Sequence, residues 1–308
     1  MINSLPFKGR KMISNEDLIR LHLINGLGRK TISKILSYIE FKNIRLNNFS
    51  EVLKMISQMN LKRLKIDEEK IEREAAVIFE CCKKNKIKII GVYDKTYPYK
   101  FRSIEDKPLI LYADGDLELL NDRNNIAIVG TRTPSQEGYE ISSILAERLT
   151  EDNCCIVSGF AAGCDEAAHY GCLQAKGRTV AVVPSGHLNV LKQNRSLYNT
   201  IIYNGGLIIS ELPPPYKAEK NSFIDRNRLI AAVSEGVIIV EGGLRGGTSH
   251  MVNYAKEYQK PVAYSVNLCK ITGQTLTFND IDIIDSFEEL VKFKNKSFKN
   301  VLDKAISQ

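Results

Sequence analysis

Positive charge recurs in this chain wherever a short apolar run gives way to a helical pattern. Arg132 follows Ile126–Val129, in IAIVGTR, and Lys192 and Arg195 follow Thr179–Val183, in VLKQNRSLYN. Arg226 and Arg228 precede Val237–Glu241, in FIDRNRLIAAVSEGVIIVE, and Arg245 follows it, in EGGLRGGTS. A guanidinium presents a planar fork of donors that matches phosphate, and a lysine adds a point charge. Beside the free N–H groups of helix starts, such cations make an anion-binding groove rather than a neutral pocket. Ligands of parallel sheets sit at the carboxyl ends of the strands, so Arg132, Lys192 and Arg245 are expected along one edge. Each cation alone is more often a solvated surface charge; the equivalent topological positions make the case.

Other constellations are weaker. Asp165 and His169 stand one helical turn apart, the spacing of an acid–base pair. The alternative is that Asp165 caps the helix after Gly163 and His169 hydrogen-bonds locally. Ser158 has no base close in sequence. A dinucleotide site needs G-x-G-x-x-G after the first strand and an acidic residue after the second. Here the first turn is Gly130-Thr131-Arg132 and the second is Ser158-Gly159-Phe160-Ala161-Ala162-Gly163. Neither a Walker A loop, nor G-x-S-x-G, nor H-E-x-x-H occurs. His22, His187 and His250 show no ligand spacing, so no metal and no cofactor is expected.

Positioning these residues requires a sheet. From Asn125 onward, strand candidates at Ile126–Val129, Cys155–Ser158, Thr179–Val183, Leu207–Ser210, Val237–Glu241 and Val262–Ser265 alternate with helical stretches. That alternation implies right-handed βαβ crossovers and a mainly parallel, doubly wound α/β sheet covered on both faces. Two earlier strand candidates, Ile87–Val92 and Leu109–Tyr112, lie in a proline-marked connector. Residues 1–12 read as a flexible start, 13–86 as an all-helical domain, 87–266 as the sheet domain and 267–308 as an amphipathic tail. Within the helical domain, Gly26-Leu27-Gly28 suits either a helix-hairpin-helix that offers N–H groups to a phosphate or a tight αα turn.

Size and composition agree. The 308 residues, 44% hydrophobic and 26% charged, can bury one full core and a small second domain. A net charge of +7 favours anionic partners. Seven cysteines without C-x-x-C spacing suit buried thiols in a reducing compartment. Without a signal-like or membrane-spanning apolar run, the expected location is cytoplasmic, with no membrane contact.

The set IVGTR, SGFAAGCDEAAH, GRTVAVVPSGH, GLIISELPP and FIDRNRLIAAVSEGVIIVE resembles the DNA-processing protein A (DprA/Smf) family, with order and spacing held over roughly residues 90–266. The 13–86 segment looks like that family's SAM-like domain. The resemblance implies an extended Rossmann-like fold that binds single-stranded DNA, protects incoming strands and helps load RecA recombinase during natural transformation. It also implies a homodimer with no catalytic turnover. By motif, Arg132 matches the arginine of V-G-S/T-R, with Gly130 and Thr131 before it. Lys192 and Asn194 match Y-P-K-x-N. Phe223, Arg226, Asn227 and Arg228 match F-P-x-R-N-R, while Ser158, Gly159, Asp165 and His169 match S-G-x-A-x-G-x-D-x-x-A-H. The chain departs at Val190-Leu191, which replaces Tyr-Pro, at Ile224, which replaces Pro, and at Arg245-Gly246-Gly247-Thr248-Ser249. No C-terminal winged-helix domain is evident.

The expectation is therefore a groove in which Arg132, Lys192, Arg226 and Arg228 hold phosphates, and Phe160 or Phe223 stacks a base. Two alternatives stand beside it. One is a DprA-like DNA sensor in defence or regulation. The other is a nucleoside-monophosphate phosphoribohydrolase, which GGLRGGTSHMV loosely resembles, although Met251 stands where that enzyme needs glutamate.

Overall fold

The computed structural model describes residues 13–44, 46, 48–59, 64, 66–242, 247–265 and 281–306. Residues 1–12, Arg245 and the whole of 266–280 lie outside them. The chain forms two compact units, Met1–Tyr97 with Asp106–Leu111, and Pro98–Glu105 with Tyr112–Gln308.

The first unit is built on α1 (Asn15–Leu23), α2 (Arg29–Phe41), α3 (Phe49–Gln58) and α4 (Glu68–Lys84), followed by β1 (Lys88–Gly91). Ser14, Asn48 and Asp67 each accept a hydrogen bond from a first-turn N–H, giving three of these helices a side-chain cap. Ile32, Ile35, Leu36 and Ile39 of α2 recur at helical spacing and are all buried. Between α1 and α2, Gly26 adopts φ +86°, a conformation that only glycine adopts without strain, and Gly28 is the N-cap of α2. The Gly-Leu-Gly segment thus makes a tight αα turn, with Leu27 buried.

The second unit alternates strand and helix. In chain order it contains α5 (Tyr99–Arg102), most of β2 (Ile110–Gly115), a 3-10 turn (Leu117–Asn121), β3 (Asn125–Val129), α6 (Gln136–Glu151), β4 (Cys155–Ser158), α7 (Cys164–Gln174) and β5 (Thr179–Val182). Then come α8 (His187–Gln193), α9 (Arg195–Tyr203), β6 (Leu207–Ser210), α10 (Lys220–Val233), β7 (Gly236–Ile239), α11 (Gly247–Glu257), β8 (Val262–Ser265), β9 (Ile281–Ile284) and α12 (Phe287–Ile306). The strands lie in the order β1-β2-β6-β5-β4-β3-β7-β8-β9. From β6 to β9 all pairs are parallel, with Ile126 opposite Ile156 and Ala127 opposite Val237. Only β2, set with Tyr112 opposite Ser210, runs antiparallel to its neighbour among these pairs.

Both faces are covered, so the central strands β3, β5 and β7 are buried at every position and apolar except for Asn125 at the start of β3 and Thr179 at the start of β5. Leu145 and Leu149 of α6, Cys172 of α7 and Leu290 and Phe293 of α12 share one core with Ile128, Ile156 and Ile238. Leu197 and Ile201 of α9 form a second core with Phe160, Val183 and Ile208, against which Tyr170 of α7 packs. Helices α10 and α11 pack on each other, and α10 lies along β3, β4 and β5. The chain therefore leaves β3, β4 and β5 into one helical layer and β7 into the other. The doubly wound α/β architecture is the one the alternation predicts. Two features add to it: the antiparallel β2, and β9 with α12, where the sequence showed only an amphipathic tail.

Candidate functional site

The reversal of strand order falls between β3 and β7, whose crossovers depart to opposite faces and open a crevice at their carboxyl ends. Gly130-Thr131-Arg132 lies in that crevice. The Thr131 N–H donates to the Glu241 carbonyl at 2.6 Å, and the Cys164 N–H donates to the Thr131 carbonyl at 3.1 Å. A Cβ on Gly130 would stand 2.5 Å from Cys164 Sγ, so the close approach of α7 demands glycine here.

This turn delivers Arg132 to solvent. Its guanidinium carbon stands 4.5 Å from the centroid of the Phe223 ring, a cation–π distance. Phe223 is half-buried near the start of α10, and the ring holds Arg132 in place without neutralising it.

One turn further along α10, Arg226 is buried and crosses the edge of the sheet. Its Nη1 donates to the Val182 carbonyl at 3.2 Å and lies 3.7 Å from Asp165 Oδ2 on the opposite helical layer. The crossing passes over Gly159, where an added Cβ would fall 1.3 Å from Arg226 Nη1. Asp165 also accepts from the Gly159 N–H at 3.1 Å, and the backbone N–H groups of Ala161 and Gly130 favour its charged form. Burial pushes the Asp165 carboxyl above its ordinary range, opposed by Arg226 and these three donors. Burial pulls Arg226 down from its ordinary value, Asp165 opposes this, and the like charge of Arg132 adds to the fall. Two guanidiniums thus bear on one another, with one carboxylate engaged between the layers.

The sequence-derived acid–base pair is not assembled. Gly163, φ +85°, is the N-cap of α7, and Asp165 points back to Gly159 instead of capping. His169 bonds through Nδ1 to Thr179 Oγ1 at 2.8 Å, and that hydroxyl donates to the Ile156 carbonyl. The hydroxyl must therefore accept from His169, fixing the proton on Nδ1 and leaving the buried Nε2 without a partner. Burial and the neighbouring Arg226 lower this imidazole to about 3, so it stays neutral. Ser158 is fully buried and donates to the Ile128 carbonyl at 2.6 Å. Phe160 holds φ +60° with its ring turned into the core, 6.0 Å from the His169 ring.

The remaining residues divide by exposure. Lys192 and Arg195 are exposed, and no carboxylate pairs with either among the described residues. Asn194 between them caps α9 by accepting from the Leu197 N–H and donates to Glu166 Oε1 at 2.7 Å. Asn227 is buried and donates to the Gly247 carbonyl at 3.2 Å. Arg228 has no exposed surface and donates to Glu211 Oε2 at 2.5 Å. Its guanidinium belongs to the protein interior, as does that of Arg226 against Asp165, so the expected four-cation groove keeps Arg132 and Lys192 and loses both residues of α10 as phosphate ligands. Arg245 lies outside the described residues. Met251 is buried inside α11 and leaves the phosphoribohydrolase position without a carboxylate.

Two contributors were missed in the sequence. Lys220 opens α10, exposed and one turn before Phe223; the spacing Lys220, Phe223, Arg226 carries the signal. Glu241, at the end of β7, accepts from the Ser135 N–H and hydroxyl at 3.0–3.2 Å, placing a carboxylate at the start of α6. Nothing local in the sequence marks that pairing. Among the described residues no group of His, Cys, Asp and Glu suits a metal ion, and no helix is long and apolar enough to cross a membrane.

Fold and site together define a doubly wound α/β protein with an exposed arginine at its topological switch point. The model of the family described as DNA recombination-mediator protein A matches residues 88–279, and the chain belongs to that family, in agreement with the motif resemblance. It is 32% identical over 201 residues to the DNA processing protein DprA of Bacillus subtilis, covering 65% of this chain and 68% of that protein. It is 38% identical over 160 residues to the Streptococcus pneumoniae DprA, covering 51% of this chain and 55% of the relative, so it spans little more than half of that protein. The solved structure of DprA from S. pneumoniae superposes with a TM-score of 0.70 at 27% identity, over 92% of this chain and 98% of that one. DNA processing protein A from Helicobacter pylori, whose structure concerns its single-stranded DNA binding mode, superposes with a TM-score of 0.58 at 29% identity, over 69% and 97%.

Proposed function

We propose that this protein binds single-stranded DNA along the carboxyl rim of its sheet. In this reading it shields the strand and helps load a RecA-type recombinase in natural transformation, acting as a homodimer without catalytic turnover. The observation that carries the DNA reading is Arg132: an exposed guanidinium, held on an aromatic face at the switch point, with no carboxylate paired to it among the described residues. Lys220 and Lys192 extend the charge along the rim. Arg226 supports it from below, fixing the backbone that carries the first turn of α7. The recombinase and dimer parts of the reading rest on family membership, and the relative from H. pylori supports a strand without a complement as the ligand.

The rim is built for phosphates. If Arg132, Lys192 and Lys220 neutralise about three of them, affinity for an oligothymidylate falls with salt at a log–log slope of about −2. A slope near zero, or equal affinity for the duplex, overturns the proposal. Adding recombinase and following strand exchange then tests the mediator role separately.

A further inference from the structure

The Arg132 turn is one end of a longer rim. Strands β3, β4 and β5 are neighbours in that order, so the starts of α6, α7 and α8 lie side by side over about 10 Å on one helical layer. Asn194 Nδ2 donates to Glu166 Oε1 at 2.7 Å, which ties the first turn of α7 to the junction of α8 and α9. That bond brings Lys192 and Arg195, both exposed, beside α7. Between these cations and Arg132 stand two half-buried tyrosines. Tyr170, one turn after Glu166, rests its ring on the core that contains Phe160 and Val190, with Leu191 packed against the same core. Tyr139, in the first turns of α6, stands one turn before Ser143, whose backbone lies against Gly171 of α7, so it falls on the side of α6 that meets α7 beside Tyr170. Neither ring has a role in the core comparable to that of Phe160, which is turned inward.

Aromatic faces between cations form the standard platform for an unpaired strand, because every base has a π-face and every linkage a charge. We infer that Tyr139 and Tyr170 form a second, base-stacking subsite that carries single-stranded DNA from the Arg132 turn to Lys192 and Arg195. This rests on the proposed function and adds to it the direction the strand takes and the residues that grip its bases.

The test is anisotropy titration of the full chain with labelled oligothymidylates of about two and about twenty nucleotides. The short strand covers the Arg132 turn without spanning both tyrosines. The double variant Tyr139→Leu/Tyr170→Leu keeps apolar packing and removes both rings. It should weaken the long strand about tenfold or more and leave the short one within about twofold. Tyr139→Phe/Tyr170→Phe should restore long-strand affinity, a rescue that lost packing alone would not explain. Equal losses on both lengths, or no loss on the long one, overturn the subsite. Wild-type protein that binds neither length overturns the DNA reading itself, a different and separable result.

Discussion

The two rims of the sheet hold buried charges on opposite terms. At the amino ends of β3 and β7, Lys100 is buried and its ammonium donates to the Asp122 carbonyl, to the Val233 carbonyl at 2.7 Å and to Glu235 Oε1 at 2.7 Å. Lys260 joins Glu235 from the other side at 2.9 Å. Three donors meet three acceptors, and burial lowers the Lys100 value while Glu235 opposes it. At the carboxyl ends, Arg226 has Asp165 and Val182, but its buried Nε has no partner, and Arg132 beside it rests on an aromatic ring. The first arrangement closes on itself and belongs to folding. The second leaves positive charge unspent at the surface, which is what a polyanion requires.

Removing carboxylates separates the two rims most sharply. Glu235→Ala strands two lysines, one of them deeply buried, and should cost about 3–5 kcal/mol in urea unfolding while leaving DNA affinity per folded molecule unchanged. Asp165→Ala should cost a similar amount and also weaken DNA binding; equal behaviour of the two variants in the DNA titration would break the comparison. Acid comes next. Buried His169 and His187 titrate at about 3 and about 4 in the folded protein, against about 6.5 when unfolded. As pH falls below about 6.5 the unfolded chain takes up protons that the folded one refuses, so stability drops, by about 1.4 kcal/mol per pH unit for each histidine. Urea midpoints measured from pH 7 to pH 5 should follow that fall, about half of it disappearing in His169→Gln. Gly159→Ala forces a methyl against Arg226 and should cost about 1–3 kcal/mol; a neutral result would show that the guanidinium moves freely. Smallest in stability is Arg132→Ala, within about 0.5 kcal/mol by thermal melting. Its DNA affinity should fall about tenfold, and equally for all sequences, because a phosphate contact carries no base information.

How much of this was legible depended on range. The strands at Cys155–Ser158 and Leu207–Ser210 were readable to the residue, because a buried parallel strand is a local apolar run between turn signals. Strand β9 was not, since its IDII places an aspartate inside a four-residue strand. Arg132 was readable as a rim residue from its position after a strand. The burial of Arg228 was not, because Glu211, its partner, lies seventeen residues earlier and sequence displays charge without its surroundings. The family motif grouped Arg226 and Arg228 together; three-dimensional packing sends one across the rim and the other inward.

The passage of Arg226 over Gly159 has a consequence for descent. Four chain positions, Gly159, Asp165, Val182 and Arg226, meet in one knot, and three of them depend on side-chain chemistry or its absence. A lineage that gains bulk at Gly159 must shorten Arg226, and one that loses Arg226 is released from needing glycine. Substitutions at these sites are therefore expected to travel together among distant cousins, while Lys192 and Lys220, with no ion pair among the described residues, answer only to the ligand they meet.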